Sequence, residues 1–273
     1  MIAAGVVFVA AACSDGTGPQ AQDPLLDAVV DQEILSVVAD GVSQDLDLIR
    51  AFGPGMIGGP LMHPGGPTDG SPGSCTFDGT SHVCTRGSMD ALEMSRSVTF
   101  FDEFGDPMEE YHPELTGSIK FVFDLEGSRE GFRDETSILA TIDRHQEKTV
   151  SGLLNTETTR EWNGEGTDET YREITNPIGE QSAFELEATT EAEQVIMPVP
   201  DGTDEMRWPL SGTITKQVKV TLTRFNGETV NRERNVVIEF NGTNIVTILI
   251  NGEPTEVDLA QRRDEDRFRR HHR

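Results

Sequence analysis

Three Asn-Gly pairs, Asn226-Gly227, Asn241-Gly242 and Asn251-Gly252, punctuate the stretch from Leu210 to Leu259. Asn-Gly is a strong hairpin signal, because both residues tolerate the positive φ that tight turns demand. Before the first pair, Ile214, Val218, Val220 and Leu222 alternate with Thr213, Thr215, Gln217, Lys219 and Thr221. Period two places the apolar set on one side of a strand and the polar set on the other. The stretch therefore reads as four successive β-strands joined by tight turns.

Parity then decides register. A two-residue turn at Asn226-Gly227 sets Leu222 opposite Asn231 and Val220 opposite Glu233, which mixes the faces. A three-residue loop, Phe225-Asn226-Gly227, restores parity, with Gly227 left-handed in a G1 bulge. The prediction is Leu222 against Val230, Ile214 against Ile238, and Arg224 closing the loop against Glu228. Asn251-Gly252 works as a plain two-residue turn, which pairs Val246 with Val257. At Asn241-Gly242 two loop lengths stay open, since Ile245 and Leu249 compete with Val246, Ile248 and Ile250 for the inner side. A strand apolar on both sides is expected to be covered on both.

Upstream the same alternation recurs. Val98 to Phe101 runs into a turn cluster at 102–107. Ile119, Phe121, Phe123 and Leu125 form one strand face, and Ile138, Ala140 and Ile142 begin another. Asn163-Gly164 reads as a further hairpin between 149–162 and 165–174. Phe184, Leu186, Ala188, Ala192 and Ile196 alternate with glutamates, and Thr189-Thr190 favours strand over helix. About a dozen strands joined mostly by short turns point to an antiparallel meander, a curved sheet or half-barrel, over residues 75–260. Before it lie residues 23–52, with Asp23 as N-cap, Pro24 at the first helical position, and Leu26, Val30, Ile34, Val37, Val38 and Val42 at helical spacing. Gly41 either sits within one helix or ends it, with Ser43 capping a second. The apolar stripe is expected to pack on the sheet. Residues 53–74, rich in Gly and Pro, are a linker.

The chain has three cysteines. A type II′ turn at Gly79-Thr80 pairs Phe77 with His82, Thr76 with Val83 and Cys75 with Cys84, which brings the two thiols within disulfide range. A disulfide belongs to an oxidising compartment. Cys13 follows a short apolar run, residues 2–12, that ends in Ala11 and Ala12. That run is too short to span a bilayer but suits the core of an export signal. In these residues the chain resembles bacterial lipoprotein signal peptides, whose small-residue lipobox precedes a cysteine that is lipidated and becomes the mature N-terminus. Ala10 stands where the family usually has Leu. The resemblance implies that residues 1–12 are removed, that Cys13 carries lipid, and that 13–22 tether the protein to the envelope membrane. Ser14, where Asp would signal inner-membrane retention, favours the outer membrane.

A formal net charge of −26 opposes nucleic-acid binding, which needs cations against phosphate. The tail, 261–273, is the exception, with six arginines. No nucleophile elbow, HExxH, phosphate loop or paired-cysteine zinc motif is present. No cofactor and no metal is expected; Met56, Met62 and His63 read as loop packing rather than Cu(I) ligands. The acidic run at 201–205 lacks EF-hand spacing and reads as a turn. Trp162 and Trp208, the only tryptophans, are a thin basis for a sugar platform. Lys216, Arg224, Arg232 and Arg234 share parity with the apolar residues of their strands. Such cations either pair with carboxylates or line a cleft for an anionic ligand. The expectation is a non-enzymatic structural or interaction lipoprotein with an unidentified protein or ligand partner. One alternative is a carrier of an apolar or anionic ligand under a helical lid. The other is a hydrolase whose triad is assembled in space.

Overall fold

The computed structural model describes residues 30–32, 34, 35, 38, 39, 41–43, 46, 75–89, 91–133, 136–154, 157–199 and 208–261. Cys13 with its signal and tether, the 53–74 linker with Met56, Met62 and His63, the 201–205 run and the arginines of the tail lie outside them.

Among the described residues, twelve strands form one sheet. They are β1 (Cys75–Phe77), β2 (His82–Met89), β3 (Leu92–Asp102), β4 (Pro107–Met108), β5 (Thr116–Arg133), β6 (Thr136–Ser151), β7 (Thr159–Thr175), β8 (Gln181–Pro198), β9 (Ser211–Thr223), β10 (Thr229–Glu239), β11 (Ile245–Ile250) and β12 (Glu253–Asp258). Sheet order follows chain order, except that the short β4 adds to β3 and leaves β3 beside β5. All pairings are antiparallel. The sheet is an open meander from β1 to β12.

The parity argument holds where it was decisive. Leu222 pairs with Val230 and Ile214 with Ile238. Gly227 has φ +81°, and Arg224 N–H donates to the Glu228 carbonyl at 2.9 Å. Val246 faces Val257 across the Asn251-Gly252 turn, where both turn residues have positive φ. Cys75 faces Cys84, bonded as a disulfide with Cα atoms 4.0 Å apart. The Asn241-Gly242 ambiguity resolves with Ile238 against Ile248, so Val246 and Ile248 are buried. The outer side of β11 is not covered, because Ile245 is 43 % exposed.

One turn prediction is overturned. Asn163-Gly164 is not a hairpin; β7 runs straight through it from Thr159 to Thr175. The pair sits at a bulge, where the register with β8 shifts between Trp162 and Gly164. Asn163 Oδ1 accepts a 2.7 Å hydrogen bond from Gln194 N–H, and Gln194 takes φ +49°. The glycine is required by space instead: a Cβ there would lie 2.4 Å from the Glu147 carbonyl oxygen. A local turn signal was thus recruited to let two strands approach closely.

Among the N-terminal residues described, those from Val30 to Leu46 are helical, including Gly41, Val42 and Ser43, so the helical conformation continues through Gly41. Val30, Ile34, Val38, Ala39, Val42 and Leu46 are buried and belong to one apolar cluster with Val98, Phe121, Trp162, Ile214, Ile238 and Ile248. Each such Val, Ile, Leu or Phe side chain, when fully buried, stabilises by about 1.5–3 kcal/mol.

Candidate functional site

Because side chains alternate across a strand, the registers assign every paired residue to one of two faces. The inner face carries the apolar cluster. It also carries Arg96, Arg129, Arg144, Lys148, Arg160, Arg172, Lys216, Arg232 and Arg234. Opposed to them on the same face stand Asp168 and, at the rim, Glu253. The outer face is the reverse. Lys120 and Lys219 are its only cations among strand residues whose side chains are described, against a field of Asp and Glu. The net acidity of the chain is therefore not spread evenly over the sheet.

The four cations singled out from parity do not converge. Arg224 lies in the hairpin loop and binds Glu228 through Nη1 at 3.0 Å. Lys216, Arg232 and Arg234 do share the inner face. Lys216 is buried, with Nζ 4.0 Å from Asp168 Oδ2, and the other Asp168 oxygen accepts from Arg144 Nε. A Cβ at Gly41 would lie 3.8 Å from Lys216 Nζ. Arg234 Nε donates to Asp31 Oδ1 at 2.6 Å. Arg232 Nη1 donates to the Asn231 carbonyl at 2.9 Å. Pairing with carboxylates of the same chain accounts for Lys216, Arg224 and Arg234.

Outward, five acids stand side by side in one row across five strands. Glu93 pairs with Glu126, Glu126 with Asp143, Asp143 with Glu169 and Glu169 with Glu187. All five are exposed. They line a shallow groove of about 530 Å³ together with Tyr171 and Glu185. Lys219 ends the row, with Nζ 4.0 Å from Glu187 Oε2. Like charges directly opposite on neighbouring strands oppose pairing, so the row costs stability.

The next row holds the nearest approach to a catalytic constellation. Ser95 pairs with Asp124, and Asp124 with His145. His145 Nδ1 lies 2.7 Å from Asp124 Oδ1, and Ser95 Oγ donates to Asp124 Oδ2 at 3.0 Å. The imidazole hydrogen bond is the main reason that Asp124 is held below the ordinary carboxylate value; slight burial works against it, and Ser95 adds to it. The order is wrong for nucleophilic catalysis. A base must take the hydroxyl proton, yet here the hydroxyl donates to the carboxylate, on the far side from the imidazole. The aspartate and histidine are also half-exposed on an open surface. His82 Nε2 contacts the Glu109 carbonyl at 2.6 Å, and His112 is exposed.

Trp162 is 3 % exposed and stacks on Phe121 at 6.1 Å, and Trp208 is half-buried against the core, so neither offers a sugar platform. Trp162 Nε1 and Thr190 Oγ1 are buried without a partner among the described residues, and both residues line a small pocket of about 20 Å³. One water fits that volume. Ser95, Asp124, His145 and the acidic row carry no signal within any one strand; only the registers between strands bring them together. No family model, no curated protein and no solved structure matches this chain.

Proposed function

We propose that the protein is an envelope-anchored lipoprotein that works as a non-enzymatic interaction module, presenting the acidic outer face of its sheet to a cationic partner. The carrying observation is the row Glu93, Glu126, Asp143, Glu169 and Glu187, five exposed carboxylates on neighbouring strands. A fold that keeps directly opposed like charges gives up stability for them, and a binding surface is a reason to do so. The N-terminal segment supports the same reading. Burial of Val30, Ile34, Val38, Ala39, Val42 and Leu46 supports a helix packed on the sheet's inner face rather than a free docking arm.

The test has two arms. Mass spectrometry of the mature N-terminus is expected to find lipid on Cys13; an unmodified terminus elsewhere removes the anchor. Titration with an oligolysine peptide is expected to show binding that weakens steeply with salt. The combined variant Glu126→Gln, Asp143→Asn, Glu169→Gln is expected to weaken it. Equal binding by the variant rejects the outer face as the surface. The carrier reading is less favoured, because helical side chains already occupy the inner face.

A further inference from the structure

Arg160 is the second residue of β7 and lies on the inner face, where it pairs with Met197. It is only 8 % exposed. Its Nε is fully buried and unpartnered, and no hydrogen bond or ion pair to any of its guanidinium nitrogens occurs among the described residues. This sets it apart from Arg144 and Arg234 on the same face, each of which holds an aspartate. A guanidinium stays charged at any pH a protein meets, and it offers five N–H donors in a fixed fork. Burying such a charge without a counterion is among the costlier things a fold can do.

Two ionisable groups are close enough to act on it, Tyr111 and Glu157. Neither makes a hydrogen bond or a close ion pair with it. Glu157 is exposed, and its Oε2 accepts a 3.1 Å hydrogen bond from Leu154 N–H in the loop before β7. Tyr111 is half-buried, with its ring 6.1 Å from that of Phe100, and burial raises its phenol above the ordinary value. The phenol therefore stays protonated at neutral pH and is a second donor near the guanidinium. Both donors sit at the loop-bearing end of the inner face, away from the Arg144–Asp168–Lys216 cluster.

We infer that Arg160 is a binding site for a small oxyanion group, a carboxylate or a phosphate. The planar fork matches two oxygens of such a group. A bound oxyanion supplies the directly bonded acceptor that the Arg160 guanidinium lacks among the described residues. The site is separate from the outer acidic face and does not depend on the role proposed for that face.

Thermal unfolding at fixed ionic strength tests it, with sodium chloride replaced stepwise by sodium phosphate or by sodium acetate. Wild-type Tm is expected to rise saturably with one of the two anions, and which anion acts distinguishes the tetrahedral from the planar ligand. Arg160→Met, which removes the unpaired charge, is expected to have a Tm in chloride at or above that of the wild type and to show no anion response. Arg160→Lys keeps the charge but loses the fork, and its apparent affinity is expected to fall about tenfold or more. Tyr111→Phe is expected to weaken binding less. The inference is overturned if the wild type responds to neither anion, or if Arg160→Met responds as the wild type does. Should Arg160→Met fail to fold, equal affinity in Arg160→Lys and the wild type overturns it.

Discussion

The Asp31 carboxylate accepts a 2.6 Å hydrogen bond from Nε of Arg234, a residue 203 positions further along the chain. The arginine side chain is 10 % exposed and the aspartate 39 %, so the cation is the more deeply committed partner. Asp31→Asn is expected to lower stability by about 1–2 kcal/mol, less than for a fully buried pair because water still reaches the carboxylate. Ile34, one turn away and 0 % exposed, offers the stronger probe. Ile34→Asp would bury an unpaired charge and is expected to unfold the protein at much lower urea. Urea midpoints that match the wild type for both variants would show that the helical segment contributes nothing to the fold.

Asp168 lies between two cations, Arg144 and Lys216, all on the inner face. Asp168→Asn keeps the shape but leaves both cations without their carboxylate, and is expected to cost about 3–5 kcal/mol. Replacing all three by apolar residues, Arg144→Met with Asp168→Leu and Lys216→Met, is expected to recover most of the loss. Chemical denaturation of both variants checks this; a single variant as stable as the wild type would mean that the charges are solvated.

Two glycines in long strands differ in what surrounds them. At Gly164 a Cβ would meet the Glu147 carbonyl oxygen at 2.4 Å and Lys148 Cα at 3.0 Å, both backbone atoms that cannot swing away. Gly164→Ala is expected to cost about 1–3 kcal/mol. At Gly131 a Cβ would meet nothing within 4 Å. Gly131→Ala is expected to leave stability unchanged or raise it by up to about 1 kcal/mol, through a less flexible unfolded chain. Equal melting temperatures for the two variants would refute the close approach at β7.

Acid should act through Asp124. Its carboxyl is held below the ordinary value of 3.8, chiefly by the His145 hydrogen bond. A carboxyl depressed in the folded state adds stability at pH above its unfolded pKa and loses that contribution as pH falls through the folded value. The contribution is small, on the order of a few tenths of a kcal/mol, because the pair is half-exposed. Stability of the wild type is expected to fall more steeply than that of Asp124→Asn between about pH 4 and pH 2. Parallel slopes in that window would show that the hydrogen bond does not persist in solution.

What could be read from the chain depended on how local the deciding signal was. The β9–β10 and β11–β12 registers follow from parity and turn length, because each is a nearest-neighbour problem with one apolar face, whereas β10–β11 stayed open because β11 is apolar on both sides. Cys75 and Cys84 were legible for the same reason. Asn163-Gly164 misled because the turn signal is local, while the choice between turn and bulge belongs to strands of 16 to 18 residues on either side. Lys216 and Arg234 could be assigned to the inner face by alternation. Their partners Asp168 and Asp31 could not, since they lie 48 residues from Lys216 and 203 from Arg234. The Glu93-to-Glu187 row needs four consecutive registers to be correct at once, and an error of one residue in any of them scatters it.

An open sheet of twelve strands must end twice, and each end is a template on which a foreign strand can add. Here the termini of the path are its shortest outer members. β1 has three residues and is tied to β2 by the Cys75–Cys84 bond. β12 has six, including Pro254, which lacks an amide hydrogen, and the acids Glu253, Glu256 and Asp258. The long strands β5 to β8 are each paired on both sides. A second molecule meeting this one edge to edge would find little ladder to extend and a row of negative charge along β12. The architecture therefore resists fibrous self-assembly even when many copies are crowded together.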